Sequence, residues 1–584
     1  MAKKKPKPTN QLVRWSKSVP ASEVQDPLGL GLRGSTRLAS RLLFCITSIT
    51  PRARYFSFIP WCIYNFQKHE KDQTYAYGLR QAIKIRETAL TLACVLHHDG
   101  QSCDGGALVG SIKASKWDGS KSEANFKRLD FAKVPALDAY YNSLVNLGCF
   151  VTDEERADSD EEAEEIEFTF DDIQLSPLGL RLAEGYDSLV GRLESVRNIS
   201  ASHRKCSVNS LREWGKRGGL CELTNSTAPD QPLLREMFFA KASSGEDSHS
   251  VRNRSLVLIL ELCRQLSADD WCLDVNSFGL AVYYGEVVND DGERIAIEWP
   301  TSLSDNADRW RMFYFHHYMS VALEGMFAWL VTHVSEKGIT GATSKELAIK
   351  LNETTVHREL REFLGTNFSG KFGVTTPADF FKSVGVEAPF LDEASSQLID
   401  EALRADAKVA EHWLEEAIRK RTFLHSPTGL ATPMILFVLT LARYRRWAGT
   451  DYGNWLASAA NDPYLDLVPP VVRNGLERHF GEWWTCPWSE LADFVLSRYV
   501  VQQHQAMAYE KTAKGDRCLL QVDGPKIIAD LPHEKIGIGN PRLNSAIQVL
   551  TDLALLEEDD NEVTHLTAQG KSLLQAELEE RGGQ

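Results

Sequence analysis

The sequence predicts a mainly α-helical protein of several domains, with β structure confined to small hairpins. Apolar residues recur at helical spacing through most of the chain, whereas runs that alternate apolar and polar residues are rare. A segment near each end repeats the order helix, acidic hairpin, helix. The 584 residues are enough for several domains of about 100–200 residues each. The composition, with 43% hydrophobic and 25% charged residues, is typical of globular proteins with ordinary cores.

Composition and turn signals divide the chain into four segments. Residues 1–75 hold a basic arm followed by the aromatic segment ARYFSFIPW. Residues 76–200 form the first module with the repeated order, and residues 481–584 form the second. Residues 201–480 lie between them and are predicted to be a helical middle domain.

Three local expectations concern residues 271–528. The run Arg309 to Val334 is apolar on all sides, which predicts a buried central helix. The stretches WCLDVNSFGLAVYYG and ERIAIEW are predicted to be two short strands or irregular structure. Further on, CLLQVDGPKII predicts a hairpin that turns at Asp523 and Gly524.

The repeated segment runs from Ala136 to Gly185 in the first copy and from Asn544 to Leu578 in the second. In each copy the last helix begins with Ser or Thr, at Ser176 and Thr567, whose hydroxyl groups are predicted to cap it. Leu144, Leu147, Leu175, Leu178, Leu182 and Gly179 correspond in order to Leu550, Leu553, Leu566, Gln569, Leu573 and Gly570. The order resembles the second half of a winged-helix domain, a fold that binds DNA or proteins. The alternative is a chance recurrence of a common hairpin–helix arrangement.

Neither copy is well equipped to read a DNA sequence. A helix in the major groove needs side chains that hydrogen-bond base edges. The first copy offers only Asn142 and Asn146, and the second offers Arg542, Asn544 and Gln548. The acidic stretches 153–167 and 557–560 would repel phosphate. The charges therefore favour winged helices that dock proteins.

The beginning of the chain is the better candidate for a DNA contact. The net charge of the chain is −15, yet residues 1–54 carry eleven Lys and Arg against two acids, giving 11 − 2 = +9. Lysines there can lie along phosphates, and arginines beside aromatic residues can stack on bases. The alternative is that the lysines only solubilise a tail and the aromatic residues form a core. The predicted nucleic-acid contacts are Lys3, Lys4, Lys5, Lys7, Arg37, Arg41, Arg52, Arg54 and Arg542.

Motifs that carry chemistry are weak or missing, so no catalytic residue, cofactor or metal is predicted. Gly29, Gly31 and Gly34 spell G-x-G-x-x-G but lack the preceding strand and the later acid of a dinucleotide site. Cys94, His97, His98 and Cys103 have a spacing outside the usual structural-zinc patterns. His316 and His317 are predicted to be packed core histidines.

The cysteines and the hydropathy pattern predict a cytoplasmic location. There are 11 cysteines and no C-x-x-C pair, as in reduced intracellular proteins. The basic residues at the start precede no apolar stretch of the kind that a secretory signal contains. No run reaches the ~18 uncharged apolar residues that a membrane span needs, so no membrane contact is expected.

The aromatic segment carries a resemblance to known sequences. The pattern T-x-x-A-R-Y-F-x-F-I-P-W is matched by Thr50, by Ala53 to Phe56 and by Phe58 to Trp61. With the preceding GLRGSTRLASRLLFCITSIT, it resembles uncharacterised bacterial families found near anti-phage defence genes. The resemblance implies a cytoplasmic bacterial protein in a multi-gene defence or DNA-processing system. It assigns no catalytic residue.

Together these observations predict a non-enzymatic subunit of a bacterial anti-phage defence complex, which docks other proteins of the complex and contacts the DNA backbone. One alternative is a winged-helix transcription regulator, which would bind one short operator tightly. Another is an enzyme, such as a nuclease, whose site is not recognisable from motifs.

Overall fold

A computed structural model of the protein shows two compact units, each discontinuous in sequence. The first unit comprises residues 1–35 and 316–539, and the second comprises residues 36–315 and 540–584. The described residues are 26–69, 78–101, 107–131, 135–151, 173–200, 204–224, 227–241, 248–289, 291–351, 375–383, 385–386, 398–400, 404–405, 408–447, 483–512 and 518–582.

This division differs from the four segments expected from the sequence. Residues 76–200 lie within the second unit, but the unit boundaries fall inside segments 1–75, 201–480 and 481–584. The physical reason is that the second copy of the repeat packs with helices from the first half of the chain. A salt bridge between Asp552 and Arg52 is one such contact. Local composition does not report a contact between residues so far apart in sequence.

The structure is mainly α-helical, as the sequence predicts. In chain order, the α-helices are α1 Thr36–Leu42, α2 Tyr55–His69, α3 Leu79–His97, α4 Ser111–Ala114, α5 Ala136–Asn146, α6 Pro177–Val190, α7 Glu194–Ile199, α8 Val208–Gly218, α9 Asp230–Phe238, α10 Ser248–Leu266, α11 Val275–Tyr284, α12 Thr301–Ser335, α13 Ser344–Ala348, α14 Pro377–Ser383, α15 Ala410–Arg419, α16 Ala431–Trp447, α17 Trp488–Val495, α18 Gln502–Thr512, α19 Leu543–Asp552 and α20 Ala568–Gly582.

The β structure of the described residues consists of two-stranded antiparallel sheets. The strands are β1 Glu123–Asn125, β2 Lys205–Ser207, β3 Glu286–Val288, β4 Arg294–Ala296, β5 Arg404–Ala405, β6 Lys408–Val409, β7 Gln521–Asp523, β8 Lys526–Ile528, β9 Leu556–Glu558 and β10 Thr564–Leu566. Each odd-numbered strand pairs with the next even-numbered one. The predicted turn is confirmed between β7 and β8, where Gly524 adopts a positive φ of 58°.

In the second unit, several helices pack around α2. Helix α2 packs against α3, α5 and α6, while α3 packs against α8. Helix α9 contacts both α2 and α6. Helix α10 packs against β10, α19 and α20, so the second copy of the repeat is part of this unit.

One prediction of secondary structure is wrong. The stretch WCLDVNSFGLAVYYG contains a helix, α11, rather than a strand. Its start is fixed by a reciprocal cap, in which the Asp274 side chain accepts from the Ser277 amide and the Ser277 hydroxyl accepts from the Asp274 amide. Such caps satisfy amide groups that a helix leaves unpaired at its first turn. Only the second stretch contributes a strand, β4.

The buried helix expected near the middle of the chain is confirmed as part of α12. Within the second unit, its Trp310 side chain donates to Ser255 Oγ at 3.1 Å. Within the first unit, its Trp329 side chain donates to the Ser426 carbonyl at 2.9 Å. Both indole rings are buried. Nowhere in the described part of the chain is a helix long and apolar enough to cross a membrane.

The glycine motif near the start has a packing role in the first unit. A Cβ on Gly31 would lie 2.2 Å from the Gly537 carbonyl oxygen, and one on Gly34 would lie 2.5 Å from the His316 ring. Both separations are shorter than any normal contact, so a side chain at Gly31 would force the backbone apart and one at Gly34 would displace the buried His316 ring. The motif therefore reflects close packing, with Gly31–Ser35 forming a short π-helical turn.

Glu87 in α3 connects two helices of the second unit. Its buried carboxylate oxygens accept the Ala136 amide at 2.9 and 3.0 Å, which caps the beginning of α5. Burial raises the pKa of Glu87 to about 8, against the opposing effect of the Ala136 amide. Because the folded pKa exceeds the ordinary value of 4.5, the protonated form is favoured in the folded state.

We expect a Glu87→Gln variant to have a flatter dependence of stability on pH. The stabilisation from protonated Glu87 is complete below pH 4.5 and is lost as the pH rises to about 8. A neutral amide keeps one acceptor for Ala136 without this loss. Relative to the parent, the variant should gain on the order of 3 kcal/mol in unfolding free energy between pH 5 and 9. Urea midpoints at these pH values measure it, and parallel curves would contradict the prediction.

Candidate functional site

In the first copy of the repeat, hydrogen bonds link the end of α5 to the beginning of α6. The Cys149 amide donates a hydrogen bond to the Leu144 carbonyl at 2.9 Å, and the Ser176 amide donates one to the Cys149 carbonyl at 3.0 Å. The Ser176 hydroxyl accepts the Gly179 amide at 3.0 Å and donates to the Gly148 carbonyl at 2.5 Å. The predicted Ser176 cap is therefore present at the beginning of α6.

The second copy reproduces this arrangement bond for bond between α19 and α20. The Leu555 amide donates a hydrogen bond to the Leu550 carbonyl at 3.0 Å, and the Thr567 amide donates one to the Leu555 carbonyl at 3.2 Å. The Thr567 hydroxyl accepts the Gly570 amide at 3.0 Å and donates to the Ala554 carbonyl at 2.7 Å. Thr567 thus caps α20 as Ser176 caps α6.

The backbone conformations match as well. Gly148 and Ala554 both adopt positive φ, at 73° and 53°. A Cβ on Gly179 would lie 2.0 Å from the Cys149 carbonyl oxygen, and one on Gly570 would lie 2.1 Å from that of Leu555. The two copies therefore share one local geometry, and the correspondence of residues derived from the sequence holds at these positions.

The β9–β10 hairpin of the second copy presents a strongly acidic turn. The side chain of Asp559 organises the turn, because one of its oxygens accepts the amides of Asn561 and Val563 at 2.9 Å each. Consecutive exposed residues make up the turn surface: Glu557, Glu558, Asp559, Asp560, Asn561 and Glu562. We call these six residues the acidic turn. The corresponding insert of the first copy, residues 153–167, lies outside the described residues.

The first helix of each copy, α5 or α19, is the one that a winged helix would place in a DNA groove. In α19, Asn544 is exposed, but Gln548 is engaged in a hydrogen bond to Asp552 Oδ1 at 3.0 Å. Asp552 itself is buried. Helix α5 exposes Asn142 and Asn146. The second copy therefore uses most of its helix for packing and leaves little of it to meet a base edge.

The structure removes Arg52 from the predicted DNA contacts. Its side chain is about 2% exposed, and its Nε donates to Asp552 Oδ2 at 3.0 Å. The same carboxylate oxygen accepts the Ala53 amide at 2.9 Å. The hydroxyl of Tyr140 in α5 contacts the Arg52 backbone. Arg52 thus lies between the two copies of the repeat, and its buried side chain cannot contact a phosphate.

Arg54 is removed for the same reason. Its fully buried guanidinium group donates to both carboxylate oxygens of Asp230 at 3.1 Å and to the Gly219 carbonyl at 2.6 Å. Ser57 Oγ donates to Asp230 at 2.7 Å. Burial lowers the pKa of Arg54, but the Asp230 charge and hydrogen bonds outweigh it, so the net pKa is raised. This is a structural ion pair.

The aromatic segment beside these arginines is core rather than a stacking surface. Tyr55, Phe56 and Trp61 are fully buried. The Trp61 ring packs edge-on against Trp214, with ring centroids 5.6 Å apart. Its indole N–H donates to Asp187 at 2.8 Å, so the polar atom is also satisfied.

The other predicted contacts have mixed positions. Lys3, Lys4, Lys5 and Lys7 lie outside the described residues. Arg37 in α1 is exposed and Arg41 is partly exposed, so both stay in the candidate set. Arg542 is partly buried at the beginning of α19 and donates to the Ile46 carbonyl at 3.1 Å. Burial lowers the pKa of the Arg542 guanidinium.

Four polar residues of the second unit form a cluster that the sequence motifs missed. His97 and His98 at the end of α3 meet Cys221 and Glu222, which begin a 3₁₀ turn. No spacing rule connects residues this far apart, and neither Cys221 nor Glu222 belongs to a recognisable motif. Of the set considered from the sequence, Cys94 is buried on the apolar side of α3, and Cys103 lies outside the described residues.

The two histidines of α12 are packed in the interior of the first unit, as expected. His316 Nδ1 lies 3.0 Å from Ser35 Oγ and 3.2 Å from Ser320 Oγ. His317 Nε2 lies 2.8 Å from a carboxylate oxygen of Glu415. All five side chains are buried, so these contacts are structural.

Comparisons of the chain with protein-family models, with curated proteins and with solved structures found no match in any of the three. Evidence on function therefore comes from the site itself. The observations that bear on it are the exposed acidic turn, the packed helix α19 and the burial of Arg52 and Arg54.

Proposed function

We propose that this chain is a non-enzymatic subunit of a bacterial anti-phage defence complex that docks partner proteins and contacts the DNA backbone. The observation that carries the docking role is the second copy of the repeat, which exposes its acidic turn while packing the adjacent helix. A DNA-reading winged helix needs the opposite arrangement, with an accessible helix and a wing that tolerates phosphate.

The partner surface that fits the acidic turn is a segment rich in lysine or arginine. Five of the six residues of the turn are acidic, and all six are exposed. Opposite charges across an interface accelerate association and select against wrongly charged partners. The turn projects from a hairpin that packs against α10, so its position within the second unit is fixed by a helix.

Neutralising the acidic turn is expected to weaken partner binding by about tenfold or more, with a smaller effect at high salt. Asp559 is kept because its carboxylate holds the turn together. The variant changes the other acids to amides: Glu557→Gln, Glu558→Gln, Asp560→Asn and Glu562→Gln. Affinity for the proteins encoded beside this chain would be measured by calorimetry after each has been purified.

The control carries the same loss of four charges at exposed positions elsewhere in the second unit. It consists of Glu123→Gln, Asp130→Asn, Glu184→Gln and Glu194→Gln, all at exposed positions. The control should bind as the parent does. Equal weakening in both variants would show a general charge effect and contradict docking at the turn.

The DNA contact is assigned to the basic arm. Residues 1–25 carry six Lys and Arg against one acid. Replacing Lys3, Lys4, Lys5 and Lys7 by Ala should weaken duplex binding and reduce the salt slope by up to about 3–4, whatever the DNA sequence. Fluorescence anisotropy across a salt series measures both quantities.

Charge loss alone is tested by a second set of lysines. Lys113, Lys116, Lys121 and Lys127 are exposed in the described part of the chain, and their replacement removes the same charge. This set should change the slope less. If the arm variant binds as the parent does, the arm is not the DNA contact. A truncation should remove no more than residues 1–25, because Leu28 and Ser35 are buried in the first unit and Arg52 and Arg54 are buried in the second.

A further inference from the structure

The end of α3 and a 3₁₀ turn bring four metal-binding side chains together in the second unit. His97 Nε2 lies 3.0 Å from Glu222 Oε1, and His98 Nε2 lies 3.1 Å from Cys221 Sγ. The ligand atoms of His97, His98 and Cys221 all lie within 4.8 Å of one another. In tetrahedral zinc sites, metal–ligand distances of about 2.0–2.3 Å place neighbouring ligand atoms roughly 3–4 Å apart. A small closure would therefore bring the three atoms around one ion.

The cluster is held by the packing of the helices that carry it. A Cβ on Gly215 in α8 would lie 2.2 Å from the Ala93 carbonyl oxygen and 2.7 Å from His97 Cβ, so a glycine allows α3 and α8 to approach closely. Arg54 binds the Gly219 carbonyl at 2.6 Å, just before Cys221. The turn Cys221–Thr224 also packs against α19. Both sides of the cluster are thus anchored in the unit.

The electrostatics suit a divalent cation. Helices α3 and α8 end at His97 and Gly218, next to the cluster, and helix C-termini carry partial negative charge. A Cys221 thiolate and a Glu222 carboxylate together neutralise a charge of +2. The side chains of His97 and Glu222 are about one quarter exposed, so an ion can reach them from solvent.

We propose that His97, His98 and Cys221 bind a zinc ion, and that the Glu222 carboxylate, which contacts His97, turns to supply the fourth ligand when the ion binds. Two imidazoles with a thiolate favour zinc over the harder cations that prefer oxygen ligands. On binding, the Cys221 thiol loses its proton to solvent, so affinity rises with pH. The ion would tie the end of α3 to the turn that contacts α19. This site does not depend on the proposed docking function.

Cobalt(II) is the probe, because it gives zinc sites a visible spectrum. The full-length protein would be stripped with a chelator and titrated with cobalt(II). We expect tetrahedral ligand-field bands and a thiolate-to-cobalt charge-transfer band that saturate at about one equivalent. Zinc should then displace the cobalt and abolish the bands. If the parent develops no such bands, the cluster is only hydrogen-bonded and the proposal is wrong.

Three cysteine variants locate the site. Cys221→Ser should remove the charge-transfer band and weaken binding by more than the roughly 10–100-fold typical of losing an outer-shell partner. Cys272→Ser is the matched control, because Cys272 is an exposed cysteine elsewhere in the same unit. Cys103→Ser tests the set considered from the sequence. Loss of the band in either Cys103→Ser or Cys272→Ser, with the band kept in Cys221→Ser, would overturn the assignment.

A histidine variant separates metal binding from folding. His98→Asn should weaken cobalt binding while leaving the far-ultraviolet circular dichroism of the metal-free protein unchanged. Zinc should raise the melting temperature of the parent and of Cys272→Ser, but not of Cys221→Ser or His98→Asn, because a ligand stabilises only a state that binds it. An equal zinc-dependent rise in all four proteins would contradict the site.

Discussion

Replacing Asp230 by alanine is expected to cost the second unit about 3–5 kcal/mol of unfolding free energy. The carboxylate accepts two hydrogen bonds from Arg54 and one from Ser57 in a fully buried position. Without this carboxylate the Arg54 guanidinium is still charged and buried but has lost its counter-charge, because arginine does not deprotonate in proteins. Urea denaturation followed by circular dichroism measures the loss, with the transition of the second unit analysed separately.

Helix α9 supplies the control for this prediction. Glu236 lies on the same helix and pairs with Arg181 through exposed side chains. Exposed pairs contribute little, so Glu236→Ala should cost less than about 1 kcal/mol. The double variant Arg54→Met with Asp230→Leu removes both charges and should recover much of the stability. If Asp230→Ala is no worse than Glu236→Ala, the pair does not hold the unit together.

Adding a single methyl group to the repeat is expected to be the next most damaging change. Gly179→Ala and Gly570→Ala place a Cβ about 2 Å from a backbone carbonyl oxygen in each copy. A backbone atom cannot rotate away as a side chain can, so the helix must move. Overpacking of this kind costs about 1–3 kcal/mol, and sometimes more. The two variants should lose similar unfolding free energy, because their surroundings match.

The control is Gly119→Ala, where the Cβ would meet only Leu96 Cδ2 at 3.9 Å. That variant should be neutral or slightly stabilising, since alanine lowers the conformational entropy of the unfolded chain. Melting temperatures of the three variants provide the comparison. A loss at Gly570 without one at Gly179 would mean that the copies are not structurally equivalent.

The sequence predicts the repeat well because its signals are local. The spacing of Leu550 and Leu553, the Thr567 cap and Gly570 all lie within one short segment, and the structure uses each of them. The same holds for the helix α12, whose apolar residues surround its axis. Patterns of this kind depend on neighbours in the chain and not on the rest of the fold.

The environments of Arg52 and Arg54 could not be predicted from local sequence. A sequence shows Arg52 and Arg54 as positive charges beside aromatic residues, which is equally typical of a DNA surface and of a buried ion pair. The carboxylates that distinguish the two cases are Asp552, 500 residues after Arg52, and Asp230, 176 residues after Arg54. Burial is a property of the assembled unit, so no local pattern could distinguish the two environments.

The cluster of His97, His98, Cys221 and Glu222 could not be predicted for a related reason. His97 and His98 are visible in the sequence, but their neighbours Cys221 and Glu222 come from a turn more than a hundred residues later. Their meeting depends on the close approach of α3 and α8 at Gly215. Helix α11 was mistaken for a strand for another reason. Its β-branched and aromatic residues favour strands, and they outweighed the capping signal of Asp274 in the sequence.

The contact between Arg52 and Asp552 sets an order of events during synthesis. Asp552 follows Arg52 by 500 residues, which take the ribosome roughly 25–100 s at about 5–20 residues per second. Throughout that interval the nascent chain carries an arginine whose native partner does not yet exist. All residues of the first unit are translated before that partner emerges. Most of the second unit is therefore translated before residues 316–539 of the first unit, yet the second unit can be completed only after them. Until then its unfinished form exposes apolar surface of the kind that chaperones bind.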